Sequence, residues 1–434
     1  MKFVADLHIH SKYSRATSRD MDVENLDKWA KIKGIKVLGT GDFTHPLWLK
    51  ELKSKLEPAE SGLFKIKKLR KLSPQNDNWL PDNKGGDLEK GTRFLFSAEV
   101  SCIYSKNDRT RKVHVIILAP DLRTVEKINT RLSWIGNIKS DGRPILGLDA
   151  KELAKIILNA SQDCLIIPAH IWTPWFSLFG ANSGFDSIEE CFDEYAKYIY
   201  VIETGLSSDP LMNWRWSALD KYALVSNSDS HSPQRIGREA NIFDTDLSYR
   251  GIVEAIRSKD PGKFLETIEF FPEEGRYHYN GHRNCQVVLR PEESKKINNI
   301  CPKCGKKLTI GTLHRIDSLA DREEGERPEK TIPFRHMVPL EEIIADAKGV
   351  GVGTKTVREE YKNLIKSFGT EFRILLSKTS EQIGRVSSPE IAEGINRVQQ
   401  GQIKISPGHD GEYGQIKIFQ DEERGSFSRQ DSLF

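Results

Sequence analysis

The chain has 434 residues, of which 38% are hydrophobic and 29% charged, with a net charge of +3. That length points to two or three domains with ample core, and no apolar stretch approaches the roughly 20 residues needed to span a bilayer. The near-neutral balance excludes bulk charge as a source of nucleic-acid affinity, and six cysteines in so long a chain make no disulfide framework. The N-terminus, MKFVADLHIH, lacks a signal peptide's apolar run, so the expected location is cytoplasmic and no membrane partner is expected.

From residue 1 to about 265, short apolar runs alternate with helical stretches. The runs are FVADLHI, IKVLGT, RFLFSAE, VHVIILA, CLIIPAH, YVIETG and YALVSNSD. Residues 24–33 place Leu26, Trp29 and Ala30 on one helical face, with Gly34 as a C-terminal cap. Residues 149–160 begin with a capping aspartate and group Leu153, Ile156 and Ile157. This alternation predicts a mostly parallel sheet, open or closed into a barrel.

Residues 54–91 break the rhythm and are read as an insertion. Between 65 and 71 it carries Lys65, Lys67, Lys68, Arg70 and Lys71 and no acid. Such a run is either a solvated face or a contact for a phosphate backbone. From about 271 a Cys-rich unit follows, then the charged linker DREEGERPEK and a helical stretch. The expected division is a catalytic barrel at 1–270, a zinc-binding module at 271–320, a mainly helical domain at 336–420 and a disordered tail at 421–434.

Two histidines spaced i, i+2 in a strand share a face, as His8 and His10 would, with Asp6 beside them. Alone, HxH is weak. The later runs end or pass through Glu99, His114, His170, Glu203, Asp229 and His231, and GTGDFTH adds Asp42 and His45. Each buried polar group left unpaired would cost about 1–3 kcal/mol. In α/β architectures strand carboxyl ends converge on one face. Imidazoles and carboxylates gathered there suit zinc, manganese or iron.

DLHIHSKYS, GTGDFTH, SAEVS, VHVII, PAH and SDSH, in this order, resemble the motifs of the polymerase-and-histidinol-phosphatase (PHP) superfamily. The resemblance covers residues 1 to about 250. It implies a distorted (β/α)7 barrel and a phosphoesterase site of two or three metals, zinc or else Mn, Mg or Fe. By that resemblance His8, His10, Glu99 and Asp229 would hold one metal, and Glu99 would bridge to a second held by His114 and His170. Asp229, Glu99 and His170 are the residues it makes catalytic. A third metal would draw on His231 and on Asp42 and His45, which could instead orient another ligand. The sequence departs from the family there, with Ala16 and Phe43 where members usually carry histidine. Two metals sharing a carboxylate suit in-line hydrolysis of a phosphoester.

GHRNC and CPKCG give His282-x2-Cys285 and Cys301-x2-Cys304, a zinc-ribbon spacing for one structural zinc, with His278 an alternative fourth ligand. HIWTPWFSLFGANSGF follows His170. It reads either as core or as a pocket for a flat ring, with Trp175, Phe176 and Ser177 as candidate base contacts. KGVGVGTKTV loosely resembles the hairpin of helix-hairpin-helix DNA binders, with Lys355 and Arg358 at a helix start, though an ordinary Gly-rich turn fits equally.

Over its whole length the chain resembles the endonuclease Q family, through GTGDFTHPLW, TPWFSLFG, SGFDSIEEC, SNSDSHSP, GHRNC, CPKCGKKLTIG and DGEYGQIKIF. That resemblance implies a DNA repair endonuclease cutting 5′ of uracil, hypoxanthine, xanthine or an abasic site, with damaged DNA as partner and a sliding clamp or other repair protein as a further one. Two rival classes remain: a small-molecule phosphatase of the histidinol-phosphate type, and a non-catalytic or helicase-associated DNA-binding module.

Overall fold

A computed structural model of the protein describes residues 1–67, 91–420 and 422–423. Seven strands form a ring: Lys2–Asp6, Ile35–Gly39, Arg93–Lys106, Arg109–Ala119, Leu165–Pro168, Val201–Glu203 and Ala223–Val225. The first three are parallel, with Ala5 opposite Val37 and Val37 opposite Arg93. Arg109–Ala119 runs antiparallel between its neighbours, with Ser101 opposite His114 and Val115 opposite Pro168. The last two pair in parallel.

Two joints close the ring without a regular ladder. The Ile171 N–H donates to the Glu203 carbonyl at 3.2 Å, and the His10 N–H donates to the Ser230 carbonyl at 2.9 Å. Asn227 completes the second joint by accepting the Leu7 N–H at 2.9 Å through Oδ1. The mixed α/β barrel expected from the motifs is therefore present.

The interior is one apolar cluster fed by all seven strands, including Ala5, Leu7, Val37, Leu95, Ile116, Leu118, Ile167, Val201 and Val225. The outward positions Leu38, Phe96, Ala98, Val115, Ile117 and Ile166 pack with the helices Val23–Lys33, Pro46–Lys55, Leu122–Ser133 and Ala150–Ala160. Strands buried on both faces explain the near-continuous apolar runs in the sequence. The two helices read from it carry the expected caps. Gly34 has φ 92° and donates to the Ala30 carbonyl at 2.8 Å, and Asp149 accepts from the Lys151 N–H at 2.8 Å.

Period two then places the site. Glu99 lies on the same face as Leu95, and His114 on the same face as Ile116 and Leu118, so both point inward at one end of the ring.

Beyond the ring, Ala240–Asp244 pairs antiparallel with Lys2–Asp6, and Phe264–Glu269 extends that sheet. Phe334–His336 pairs with Phe264–Glu269 in parallel and ties the helices Leu340–Lys348, Lys355–Phe368, Glu371–Ser377, Ser380–Gly384 and Pro389–Gln399 to it. Lys68, Arg70 and Lys71 lie outside the described residues, as does the expected tail except for 422–423. Among the described residues no helix is long and apolar enough to cross a membrane.

Candidate active site

At the barrel mouth, ligand atoms of His8, His10, Glu99 and Asp229 all lie within 4.8 Å of one another. Nε2 of His10 is 3.0 Å from Asp229 Oδ1 and 3.3 Å from Glu99 Oε2, while Nε2 of His8 is 3.7 Å from Glu99 Oε2 and 3.8 Å from Asp229 Oδ1. Both Nε2 atoms and Asp229 Oδ1 are buried without a hydrogen bond. Orphaned polar atoms aimed at one point are costly unless a partner such as a cation sits among them. Two imidazoles and two carboxylates fit zinc, manganese or iron.

Glu99 faces two ways. Its Oε2 serves that group; its Oε1 lies 2.7 Å from His114 Nδ1 and 3.1 Å from His170 Nε2. Those two imidazole nitrogens are 3.2 Å apart. Glu99, His114 and His170 form a second ligand group. A carboxylate shared by two groups is the bridging arrangement of two-metal hydrolytic sites.

The groups are held from behind. Nδ1 of His8 meets Glu203 Oε1 at 3.1 Å, and Glu203 also accepts the His170 N–H and the Asn227 amide, each at 2.9 Å. Nδ1 of His10 meets Asp42 Oδ1 at 3.0 Å, and Asp42 accepts from Ser11 N–H, Ser11 Oγ and Ser14 Oγ at 2.6, 2.7 and 3.0 Å. With Nδ1 occupied, each ring turns Nε2 to the centre.

Asp42 thus stands behind His10 and outside both groups. His45 is also outside them, stacked on Tyr13 with centroids 4.5 Å apart and bonded to the Lys139 carbonyl at 3.2 Å. The ring of His231 lies 4.5 Å from that of His10, and its Nδ1 donates to the Asp229 carbonyl at 2.9 Å. Among the described residues no third ligand group forms at the mouth. Asp6 is not in the cluster either: the strand ends there, and its carboxylate accepts from Ser228 and Gly237, fixing the loop that carries Asp229.

Electrostatics follow the geometry. Burial pushes His8 and His10 down, but Glu203 with Glu99, and Asp42 with Asp229, outweigh it and raise both well above the usual histidine value. Burial would raise Glu99, yet His114, Arg143 and His10 hold it well below the carboxylate range. Burial drives His114 down to about 4. A cation entering the first group therefore displaces protons.

Nothing in the spacing of the sequence signals Arg143, which donates to Glu99 Oε2 at 3.0 Å from a loop. Asp42, His170, Phe176 and Asp229 have φ of 48°, 29°, 62° and 45°. Such backbones cost non-glycine residues about 1–3 kcal/mol each and gather where function needs them. Gly205 is required beside them, since a Cβ there would stand 2.4 Å from that of His170.

The aromatic run divides. Trp172, Phe179 and Phe185 are buried, and the Trp172 indole donates to Asn213 at 2.8 Å. Ser177 is buried too, its hydroxyl donating to the Thr173 carbonyl, so it does not line an open pocket. Phe176 stays beside the ligands: its ring is 5.0 Å from that of His114, and its carbonyl accepts the His114 N–H at 3.1 Å. Trp175 is 40% exposed and meets Tyr277 edge-on at 5.4 Å.

The Cys-rich unit brings together His282, Cys285, Cys301 and Cys304, again within 4.8 Å, with no disulfide among them. His278 is not in the group. Asn280–His282 and Val287–Leu289 form a small ladder, and Gly305, at φ 71°, closes the turn by donating to the Cys301 carbonyl at 2.9 Å. Burial would raise the Cys301 thiol, but the Lys303 and Cys304 N–H groups bring it down to about 7. The local apolar core consists of Val287, Cys301 and Leu308 with a few flanking side chains.

Among the basic candidates, Lys65 pairs with Glu57 at 3.5 Å, and the Lys67 ammonium donates to the carbonyls of Lys53 and Ser54 at 2.9 and 2.8 Å. Lys355 opens the helix Lys355–Phe368, exposed and 3.5 Å from Glu359.

The family described as the MJ0043 C-terminal domain matches residues 339–402. The uncharacterized protein MJ0043 of Methanocaldococcus jannaschii is 34% identical over 255 residues, 57% of this chain; the match spans only 31% of that protein's length. The uncharacterized protein YqxK of Bacillus subtilis is 30% identical over 432 residues, 96% of this chain and 99% of that one. The crystal structure of a lesion-specific endonuclease Q from Pyrococcus furiosus superposes with a TM-score of 0.83 and 31% identity, covering 100% of both chains. An endonuclease Q bound to a 27-mer duplex with an abasic lesion at its active site gives a TM-score of 0.81 and 32% identity over 97% of this chain and 98% of that one. With likeness in sequence and fold running end to end, the chain belongs to the endonuclease Q family.

Proposed function

We propose that this chain is a metal-dependent DNA repair endonuclease that hydrolyses the phosphodiester on the 5′ side of a damaged nucleotide. The observation that carries the reading is Glu99, shared by two ligand groups at the mouth of a barrel whose end-to-end structural neighbours include a lesion-specific endonuclease and an endonuclease Q bound to an abasic duplex. His8, His10, Glu99 and Asp229 would hold one cation, and Glu99, His114 and His170 a second. Bound there, zinc, manganese, magnesium or iron would supply Lewis acidity and an activated water. Structural zinc would occupy His282, Cys285, Cys301 and Cys304.

The chain's own residues supply position and charge. Glu203 and Asp42 fix the imidazoles. Arg143, 3.0 Å from Glu99, would offer its guanidinium to a phosphoryl oxygen of the substrate. His231, half-exposed beside His10, is the candidate proton carrier for the leaving oxygen. Damaged bases must leave the stack to be inspected, and Phe176, beside His114, and the partly exposed Trp175 are the side chains that would support an extruded ring. Deamination turns an amine into a carbonyl, so donors around that ring would favour uracil, hypoxanthine and xanthine. With the Ser177 hydroxyl committed to Thr173, backbone groups supply them. Lys355 and the 65–71 segment are proposed phosphate contacts, and a sliding clamp or another repair protein a proposed partner.

Labelled duplexes carrying a central abasic site, uracil or hypoxanthine, beside an undamaged one, test the reading. Metal-loaded protein should nick the damaged strands and leave the control intact. Hydrolysis of a small phosphomonoester with every duplex uncut would favour the phosphatase class.

A further inference from the structure

The hairpin Lys404–Ser406/Gln415–Lys417 presents Tyr413 at its tip, 72% exposed. An exposed tyrosine is ordinary on a mobile loop. This one is clamped. Asp410 accepts from the Arg283 N–H at 2.6 Å and the Thr309 hydroxyl at 2.6 Å, and the Gly411 and Gly408 N–H groups donate to the carbonyls of Arg276 and Glu273 at 2.9 and 2.7 Å. The backbone at Gly411 has φ 88°, and a Cβ there would stand 3.6 Å from both Arg283 Nη1 and the Tyr277 hydroxyl and 3.8 Å from Arg276 Nη2. Two guanidinium ends and a phenol therefore surround the tip, and Arg276 lies 5.0 Å from the Tyr413 ring centroid. On its other side Tyr277 touches Trp175, whose carbonyl accepts from Thr173, and Thr173 reaches Nδ1 of His170 at 3.4 Å. A path of contacts through Thr173, Trp175 and Tyr277 thus leads from His170 toward the hairpin tip.

Rigid aromatics alternating with arginines match the chemistry of nucleic acid, with a π-face for a base and guanidiniums for phosphates. We propose that Tyr413 is a second contact with the substrate strand, stacking on a base beside the lesion while Arg276 and Arg283 hold the adjoining phosphate. Turning one nucleotide out of a duplex leaves its neighbours unstacked, and a ring carried on a backbone held in place can support one of them at reduced ordering cost. The inference rests on the DNA-cleaving reading above.

Single-turnover cleavage of a labelled abasic duplex over rising enzyme concentration tests it, with the parent, Tyr413→Ala and Tyr413→Phe. Tyr413→Ala should raise the half-saturating concentration about tenfold, the order expected for losing one base stack, with the maximal rate retained. Tyr413→Phe keeps the ring and should match the parent. A parent that cuts while Tyr413→Ala binds and cuts identically overturns this inference alone, as does Phe behaving like Ala. A parent that leaves the duplex uncut overturns the proposed function, and this contact with it.

Discussion

Nδ1 of His8 and Oε1 of Glu203 meet at 3.1 Å in a pocket closed to solvent. Through that bond one carboxylate sets the orientation of a ligand in the first group, and through the His170 N–H it also fixes a ligand in the second. Glu203→Gln keeps an acceptor but removes the charge. It should leave the fold intact and weaken metal binding by about 10–100-fold. Metal titration followed by circular dichroism checks both halves, and an unchanged affinity would show that Glu203 merely fills space.

The first ligand group should lose its cation in acid. His8 and His10 are raised well above the usual histidine value in the metal-free protein, so protons compete with the ion. Displacing two protons makes affinity fall by up to about a hundredfold per unit of falling pH. Equilibrium dialysis between neutral and mildly acidic pH should show that slope; a flat profile would mean that neither imidazole is a ligand.

In the Cys-rich unit, Cys301→Ser should remove one zinc per chain and loosen the ladder of Asn280–His282 with Val287–Leu289, while other bound metals remain. Metal analysis with hydrogen exchange over residues 275–315 reads this directly. Undiminished zinc would remove the unit from the metal sites.

Phe176→Ala and Trp175→Ala should reduce cleavage of uracil and hypoxanthine duplexes more than cleavage at an abasic site, which offers no ring to hold. Loss of one stacking partner should cost roughly 1–3 kcal/mol on the base lesions. Equal losses on all three substrates would assign Phe176 to packing on His114 and Trp175 to packing on Tyr277.

Much of this centre was legible because strands have a period of two. Once VHVIILA is a strand buried on both faces, His114 must share a side with Ile116 and Leu118. The same rule failed for Asp6, because the strand ends there and its carboxylate is taken up by Ser228 and Gly237. Asp42 and Asp229 both follow strands, and both have φ above 40°; which one enters the cluster depends on tertiary turns that spacing does not encode. Arg143 was invisible for a related reason: it reaches Glu99 from a loop 44 positions away in the sequence. The sidedness of the aromatic run was equally hidden, since only packing decides that Trp172 and Ser177 turn inward and Trp175 outward.

The most direct measurement of the central claim is strand cleavage of an abasic duplex by Asp229→Asn beside the parent, each loaded with the same metal. Asp229 presents a buried, unbonded oxygen to the first group, and removing its charge takes a ligand from the ion without emptying space. The account predicts a folded variant whose nicking rate falls at least about a thousandfold while its zinc at Cys301 and Cys304 is retained. A folded Asp229→Asn that cuts the duplex at the parent's rate would contradict it.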